Sequence, residues 1–294
     1  MNMKKMYFVV VGTLTAAALM AGSGVTHAQS IDAGRGELPL TVPSGYNAVT
    51  AAPLIVLLHT YGRTGAIQDE YMGLSALADD YGFILVAPDG TPSTAENNPR
   101  YWNASAACCV WDQEELDDSA YIASIIDLVK ADYQVDPKRV YILGHSNGGF
   151  MAHRLAHEHS GTIAAIASIA GPDQSDERPT PPNPVHVLHI HGDADTAIAY
   201  EGGEIRGGTY PGARQSVENW AARNACAAEG RDAGTLDLDR TLDGMESTVT
   251  RYTNSCKAGG SAELWTIAGG AHIPELSDHF TRLVVEWLLA HPKP

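Results

Sequence analysis

Positive charge is scarce in this chain. Nineteen lysines and arginines stand against 35 aspartates and glutamates, a net charge of −16 at pH 7. Such a surface repels nucleic acid and anionic membranes, so neither is expected as a partner. Cysteine is scarce too, four in 294 residues with no C-x-x-C spacing, which argues against a thiolate metal site. Beyond residue 28 no apolar run approaches the ~20 residues that a membrane-spanning helix needs. Internal repeats, linkers and low-complexity tracts are also lacking, which excludes solenoid and bead-like designs. What remains is a soluble globular chain whose partner is a small or oligomeric molecule, with no cofactor and no obligatory protein partner indicated.

The first residues read as a targeting segment. Lys4 and Lys5 precede an apolar run from Met6 to Met20, and small residues then lead to Thr26-His27-Ala28. That order describes a signal peptide over residues 1–28, cleaved near Ala28, and hence a secreted or periplasmic protein. Cysteines in an exported chain are expected to form disulfides. Cys226 and Cys256 flank what reads as a strand pair and are expected to be joined. Cys108 and Cys109 are adjacent, leaving free thiols or a vicinal bridge open, with disulfide geometry disfavouring the bridge.

Residues 29–294 read as one α/β domain. Six dense apolar segments have strand length: Leu54–His59, Phe83–Pro88, Val140–Gly144, Ile163–Ala170, Val185–Gly192 and Glu263–Gly269. Continuous apolar runs of this kind suit strands buried on both faces of a parallel sheet. Amphipathic helices alternate with them. Asp117 or Asp118 can cap one whose apolar face carries Tyr121, Ile122, Ile125, Ile126 and Val129. Asp136-Pro137 should break the chain before the next strand. The last helix presents Phe280, Leu283, Val284, Trp287 and Leu288. The alternation predicts a mostly parallel, doubly wound sheet flanked by helices. Ligands of such sheets bind beyond the carboxyl ends of the strands. The long segments Asp89–Glu115, Gly171–Pro184 and Ala194 to about Gly212 are therefore candidate walls of a site.

Gly144-His145-Ser146-Asn147-Gly148 fits G-x-S-x-G. The pattern is weak alone, but here it follows a strand and opens a helix, the setting of a nucleophile elbow. A serine nucleophile needs a base and an orienting acid, each on a loop after a later strand. The loop after Val185–Gly192 carries Asp193 and Asp195, and the loop after Glu263–Gly269 carries His272. Histidine would take the serine proton while the carboxylate fixes its tautomer. Two backbone donors should face the developing oxyanion, the Asn147 amide and one from Leu57–Gly65, with Tyr61 the choice. Tyr61 and Trp102 are also candidate substrate contacts, with Tyr101 and Trp111 nearby in sequence. His186, His189 and His191 read as satisfied core or loop histidines, and His153 and His157 as helix surface.

The segments LLHTYG, VAPDG, YWNASAACC, LDDSAYI, DPKRVYILGHSNGGFMAHRLA, HIHGDAD and GGAHIP appear in an order that resembles secreted esterases of the polyhydroxybutyrate depolymerase and feruloyl or acetylxylan esterase type. The resemblance spans most of residues 36–292. It implies an α/β-hydrolase fold and metal-free hydrolysis of carboxylic esters through an acyl-enzyme. It assigns Ser146 as nucleophile, His272 as base, and Asp195 as acid within an H-G-x-x-D pattern starting at His191. Three features depart from the pattern. Thr60 follows His59 where the usual pattern is His-Gly, GGGH becomes GGAH, and no aromatic follows His272. No separate substrate-binding domain is evident, which points toward soluble esters or short oligomers. A serine peptidase on the same fold and a non-catalytic binding module are the alternatives.

Overall fold

The computed structural model describes residues 29–109, 116–174 and 178–294. The expected signal peptide, and Trp111 with it, lie outside the described residues. Ten strands form the main sheet: β1 (Ser30–Asp32), β2 (Glu37–Thr41), β3 (Ala52–Leu58), β4 (Ile84–Val86), β5 (Val135–His145), β6 (Ala165–Ile169), β7 (His186–Gly192), β8 (Arg231–Leu236), β9 (Ser247–Tyr252) and β10 (Ser261–Ile267). Their spatial order is β1-β2-β4-β3-β5-β6-β7-β10-β9-β8. The central six, β4 to β10 in that order, are mutually parallel. An antiparallel pair closes each side. Each parallel strand coincides with one of the six apolar runs.

Helices α1 (Gly65–Met72), α2 (Asp118–Asp132), α3 (Asn147–Glu158), α4 (Ala213–Arg223) and α5 (Phe280–Leu289) cover both faces. Leu54, Val56 and Leu58 of β3 enter a core with Ile122, Ile125 and Val129 of α2, Phe150 and Leu155 of α3, and Val217 of α4. Ile55 and Leu57 enter a second core with Met72 of α1 and Phe280, Val284 and Leu288 of α5. A strand that feeds two cores alternately cannot show a polar face, which is why these segments are apolar throughout. Among the described residues no helix is long and apolar enough to cross a membrane.

Local chemistry sets the boundaries. Asp117 is the cap of α2, its carboxylate accepting from the Ala120 amide at 3.0 Å. Asp118 is instead fully buried and gathers the Asn103 amide and the Arg35 guanidinium, each at 2.7 Å. The expected break at Asp136-Pro137 is corrected in one respect: β5 already begins at Val135. Asp136 turns the chain out of the ladder by accepting from the Lys138 amide at 2.9 Å, and pairing with β3 resumes at Val140. The antiparallel ribbon β8–β9 is the expected strand pair, and Cys226 and Cys256 on either side of it are joined. Closing a separation of 30 residues should contribute about 3.6 kcal/mol by loop entropy. A Cys226→Ser/Cys256→Ser variant is therefore expected to lose about that much in guanidinium unfolding, and a loss below about 1 kcal/mol would contradict this account. Cys108 and Cys109 are also joined, so the geometric expectation against a vicinal bridge is corrected.

Candidate active site

The strand β5 ends at His145 and α3 begins at Asn147, so one residue makes the whole turn. That residue, Ser146, has φ 53° and ψ −117°, a conformation that side chains other than glycine rarely adopt. The glycines around it explain how the turn is tolerated. A Cβ on Gly144 would overlap the Gly148 carbonyl, and one on Gly148 would overlap the Leu58 and His59 carbonyls at the end of β3. The Ser146 amide donates to Ile169 O of β6 at 2.7 Å, pinning the turn to the neighbouring strand. Backbone strain held in place by such packing is characteristic of functional turns.

Two loops meet Ser146. His272 Nε2 lies 2.9 Å from Ser146 Oγ, and His272 Nδ1 lies 2.6 Å from Asp195 Oδ2. The structure thus brings all three expected residues into one hydrogen-bonded line. Asp195 Oδ1 accepts from the Ala197 and Ile198 amides at 2.8 and 2.9 Å, an Asx turn that leaves Oδ2 for the histidine. Burial alone would raise the Asp195 carboxyl. Hydrogen bonds from His191, His272 and the Ile198 amide, with the His272 charge, outweigh that and hold it well below the usual carboxylate range. Asp193, on the same loop, has a different partner. Its Oδ1 accepts from the Gly269 amide at 2.6 Å, tying the acid loop to the base loop.

The loop after β3 is braced from several sides. His59 Nδ1 donates to Thr60 O at 2.7 Å, leaving Nε2 to accept from the Gly90 amide at 2.8 Å. The left-handed position falls at Gly62, φ 76°, so Thr60 needs no unusual conformation. Tyr61 lies in this turn, half-buried, and the contact of Gly148 with the end of β3 sets the loop beside the elbow. Asn147 opens α3, so its amide has no acceptor within the helix. Its side chain clasps Trp102 at both ends, accepting from the amide at 2.7 Å and donating to the carbonyl at 2.9 Å.

Trp102 itself is corrected as a substrate contact. It is 0% exposed, and its indole N–H donates to His59 O at 3.1 Å. It supports the loop from beneath rather than lining a surface. His153 and His157 are corrected as well, since both are buried rather than on the helix surface. His157 Nε2 lies 3.1 Å from Asp173 Oδ1, and His153 Nδ1 accepts from the Trp220 indole at 2.9 Å. Residues remote in sequence cover them, which the α3 pattern alone does not reveal. His186 is half-buried and bonds Ser261 Oγ at 2.7 Å, and the buried His191 has partners at both nitrogens, as expected; His189 is also buried but is corrected, since among the described residues its Nδ1 has no partner. Among the described residues no group of three or more His, Cys, Asp or Glu side chains could hold a metal. A cavity of about 530 Å³ beside Arg35, Arg100 and Tyr121 is lined by none of Ser146, Asp195 and His272.

Residues 38–180 match the family described as Esterase PHB depolymerase. The match is to the model of an Esterase PHB depolymerase domain. The matched stretch of that domain includes Ser146, Tyr61 and Asn147 but stops before Asp195 and His272, which the fold supplies from β7 and β10. A curated relative, the putative esterase NocK of Nocardia uniformis subsp. tsuyamanensis, is 34% identical over 156 residues, 51% of this chain and 42% of that protein. Feruloyl esterase B of Piromyces equi is 27% identical over 240 residues, 78% of this chain and 41% of that protein. Poly(3-hydroxyalkanoate) depolymerase C of Paucimonas lemoignei is 35% identical over 130 residues, 44% of this chain and 30% of that protein. The chain thus spans less than half the length of these relatives. Among solved structures, an acetyl xylan esterase from Aspergillus awamori superposes with a TM-score of 0.62 at 16% identity, covering 88% of this chain and 98% of that one. The expected α/β-hydrolase fold is therefore observed.

Proposed function

We propose that this chain is an exported serine esterase that hydrolyses carboxylic esters through an acyl-enzyme. The observation that carries this reading is the line Ser146 Oγ, His272 Nε2, His272 Nδ1, Asp195 Oδ2, with steps of 2.9 and 2.6 Å. The esterase names of the relatives favour the same chemistry.

Asp195 accepts from His272 Nδ1, which leaves Nε2 with its lone pair toward Ser146. As Oγ attacks the ester carbon, its proton passes to Nε2, and Asp195 stabilises the resulting imidazolium. The carbonyl π pair moves onto oxygen, which the Asn147 amide and, we propose, the Tyr61 amide receive. Collapse expels the alcohol with the proton from Nε2 and leaves the acyl group on Ser146. Water then repeats the sequence, releasing the acid and the free serine. The two disulfides suit export. The substrates proposed are soluble esters and short polyester oligomers, including hydroxybutyrate oligomers and feruloyl or acetyl esters.

A fluorophosphonate probe is expected to add one phosphonyl group to the peptide containing Ser146, read by intact mass and peptide mapping. No labelling of the folded protein would overturn the reading in favour of a binding module. Faster turnover of amides than of matched esters would favour a peptidase. A panel of short p-nitrophenyl esters, methyl ferulate and a hydroxybutyrate trimer then ranks the acyl groups.

A further inference from the structure

Beneath the acid loop lies a row of buried imidazoles that this chemistry does not use. Alternate residues of β7 share a face, so His189 and His191 point the same way. They are 0% and 1% exposed. His191 Nε2 lies 2.9 Å from Ile198 O and 3.1 Å from Asp195 Oδ2. His189 Nε2 lies 3.1 Å from His191 Nδ1. A carbonyl oxygen only accepts, so His191 Nε2 carries hydrogen, and in the neutral ring Nδ1 is the acceptor. The His189 Nε2–H fills that acceptor. The polarity of the row is thereby determined: His189 donates to His191, and His191 donates to Ile198 O and Asp195 Oδ2 together.

Asp195 Oδ2 is the same oxygen that accepts from His272 Nδ1. We propose that His191 is a positioning residue for the reaction, a second imidazole that anchors Asp195 Oδ2 and sets how much of its charge reaches His272. This rests on the esterase reading above. The bland alternative, a histidine that merely fills space, is poorly served by the geometry. A buried polar ring costs more than an apolar one unless its hydrogen bonds are made, and here both nitrogens have partners.

Two consequences follow from losing the His191 donor. The carboxylate can turn away from His272, which slows the chemical step. Its undivided charge also falls on His272, which favours the imidazolium and delays the neutral base to higher pH. Other groups face this row. His145 lies 5.7 Å from His272 ring to ring, with Tyr71 stacked behind it. Tyr200 packs on His191, with Arg214 and Glu201 near its hydroxyl, and His153 packs on His189 with Asp173 beyond. Asp193 is turned to the Gly269 amide. Among the described residues, only His191 and His272 donate to Asp195 Oδ2.

The test is the pH dependence of kcat and KM for a p-nitrophenyl ester in His191→Leu and His191→Gln, with Ser146→Ala in parallel. His191→Leu is expected to lower kcat about 10- to 100-fold, as loss of groups that orient a reacting residue typically does, with KM little changed. Its acid limb is expected to move to higher pH. His191→Gln keeps an N–H donor near Nε2 and is expected to restore both the rate and the wild-type limb. A wild-type limb in the leucine variant, or a glutamine variant as slow as the leucine one, overturns the proposal. If the leucine variant does not fold, the glutamine variant decides alone by keeping or losing rate and limb. Turnover that survives in Ser146→Ala overturns the esterase reading and this proposal with it. With Ser146→Ala inactive, an unmoved limb overturns only the role of His191.

Discussion

Ser146→Ala is expected to lower kcat for a p-nitrophenyl ester by a factor on the order of 10⁴ to 10⁶, the range found when a serine nucleophile is removed. The fold should not change. The Ser146 hydroxyl bonds His272, and the turn itself is held by the Ser146 amide and the surrounding glycines, which the substitution leaves in place. Far-UV circular dichroism and the unfolding midpoint should therefore match the parent. Asp195→Asn and Asp193→Asn form a matched pair on the same loop. The first leaves His272 in the wrong tautomer and is expected to cost about 10⁴ in kcat. The second loosens one bond to the Gly269 amide and should cost far less. A larger loss from Asp193→Asn would reverse the assignment of the acid, and full activity in Ser146→Ala would remove the nucleophile.

The second large effect is acid lability between pH 6.5 and about 4. Burial holds His145 and His153 at about 4, and His189 well below the ordinary 6.5. The unfolded chain takes up protons at 6.5 while the folded chain keeps these rings neutral. The unfolded state thus binds more protons, so stability is present above 6.5 and is lost as pH falls. At pH 5 each of His145 and His153 should destabilise the fold by about 2 kcal/mol. Asp173, held at about 2 despite burial by His157, His153 and Arg223, stabilises the fold fully above the usual carboxylate range and loses that contribution only below it, so it does not confuse this window. Acidification also relieves the self-repulsion of a chain at −16, which acts in the opposite sense. Salt at 0.15 M or above screens that effect, while buried rings are screened much less. Under those conditions the melting temperature is expected to fall by on the order of 10 °C from pH 7.5 to 5. A midpoint that holds or rises would show that the rings are not kept neutral.

What the sequence made legible follows from how far each residue's reasons extend along the chain. The six parallel strands announce themselves because burial on two faces leaves no polar alternation. Ser146, Asp195 and His272 are legible because each sits directly past such a strand. By contrast β1 and β2 hold only Ile31, Leu38 and Leu40 buried, too few for a pattern. His153 and His157 look like helix surface because their partners, Asp173 and Trp220, arrive from other elements. Trp102 resembles a pocket wall until His59 and Asn147 are seen to hold it. His191 serves in a sequence pattern only to locate Asp195, and its own bonds depend on the loop beyond.

The acid and base loops meet at Gly192 and Gly270: a Cβ on Gly192 would strike the Gly270 backbone, and one on Gly270 would strike the Ile267 side chain and crowd Gly192 Cα. The Ala194 amide donates to Gly270 O at 3.1 Å across the same contact. The relative placement of Asp195 and His272 is therefore written largely in main chain, with the Asp193 carboxylate as a side-chain tie. For directed evolution this separates two sets of positions. Residues 192 and 270 should tolerate almost nothing, whereas the exposed Thr196 and Ile273 should accept substitution without disturbing the catalytic line.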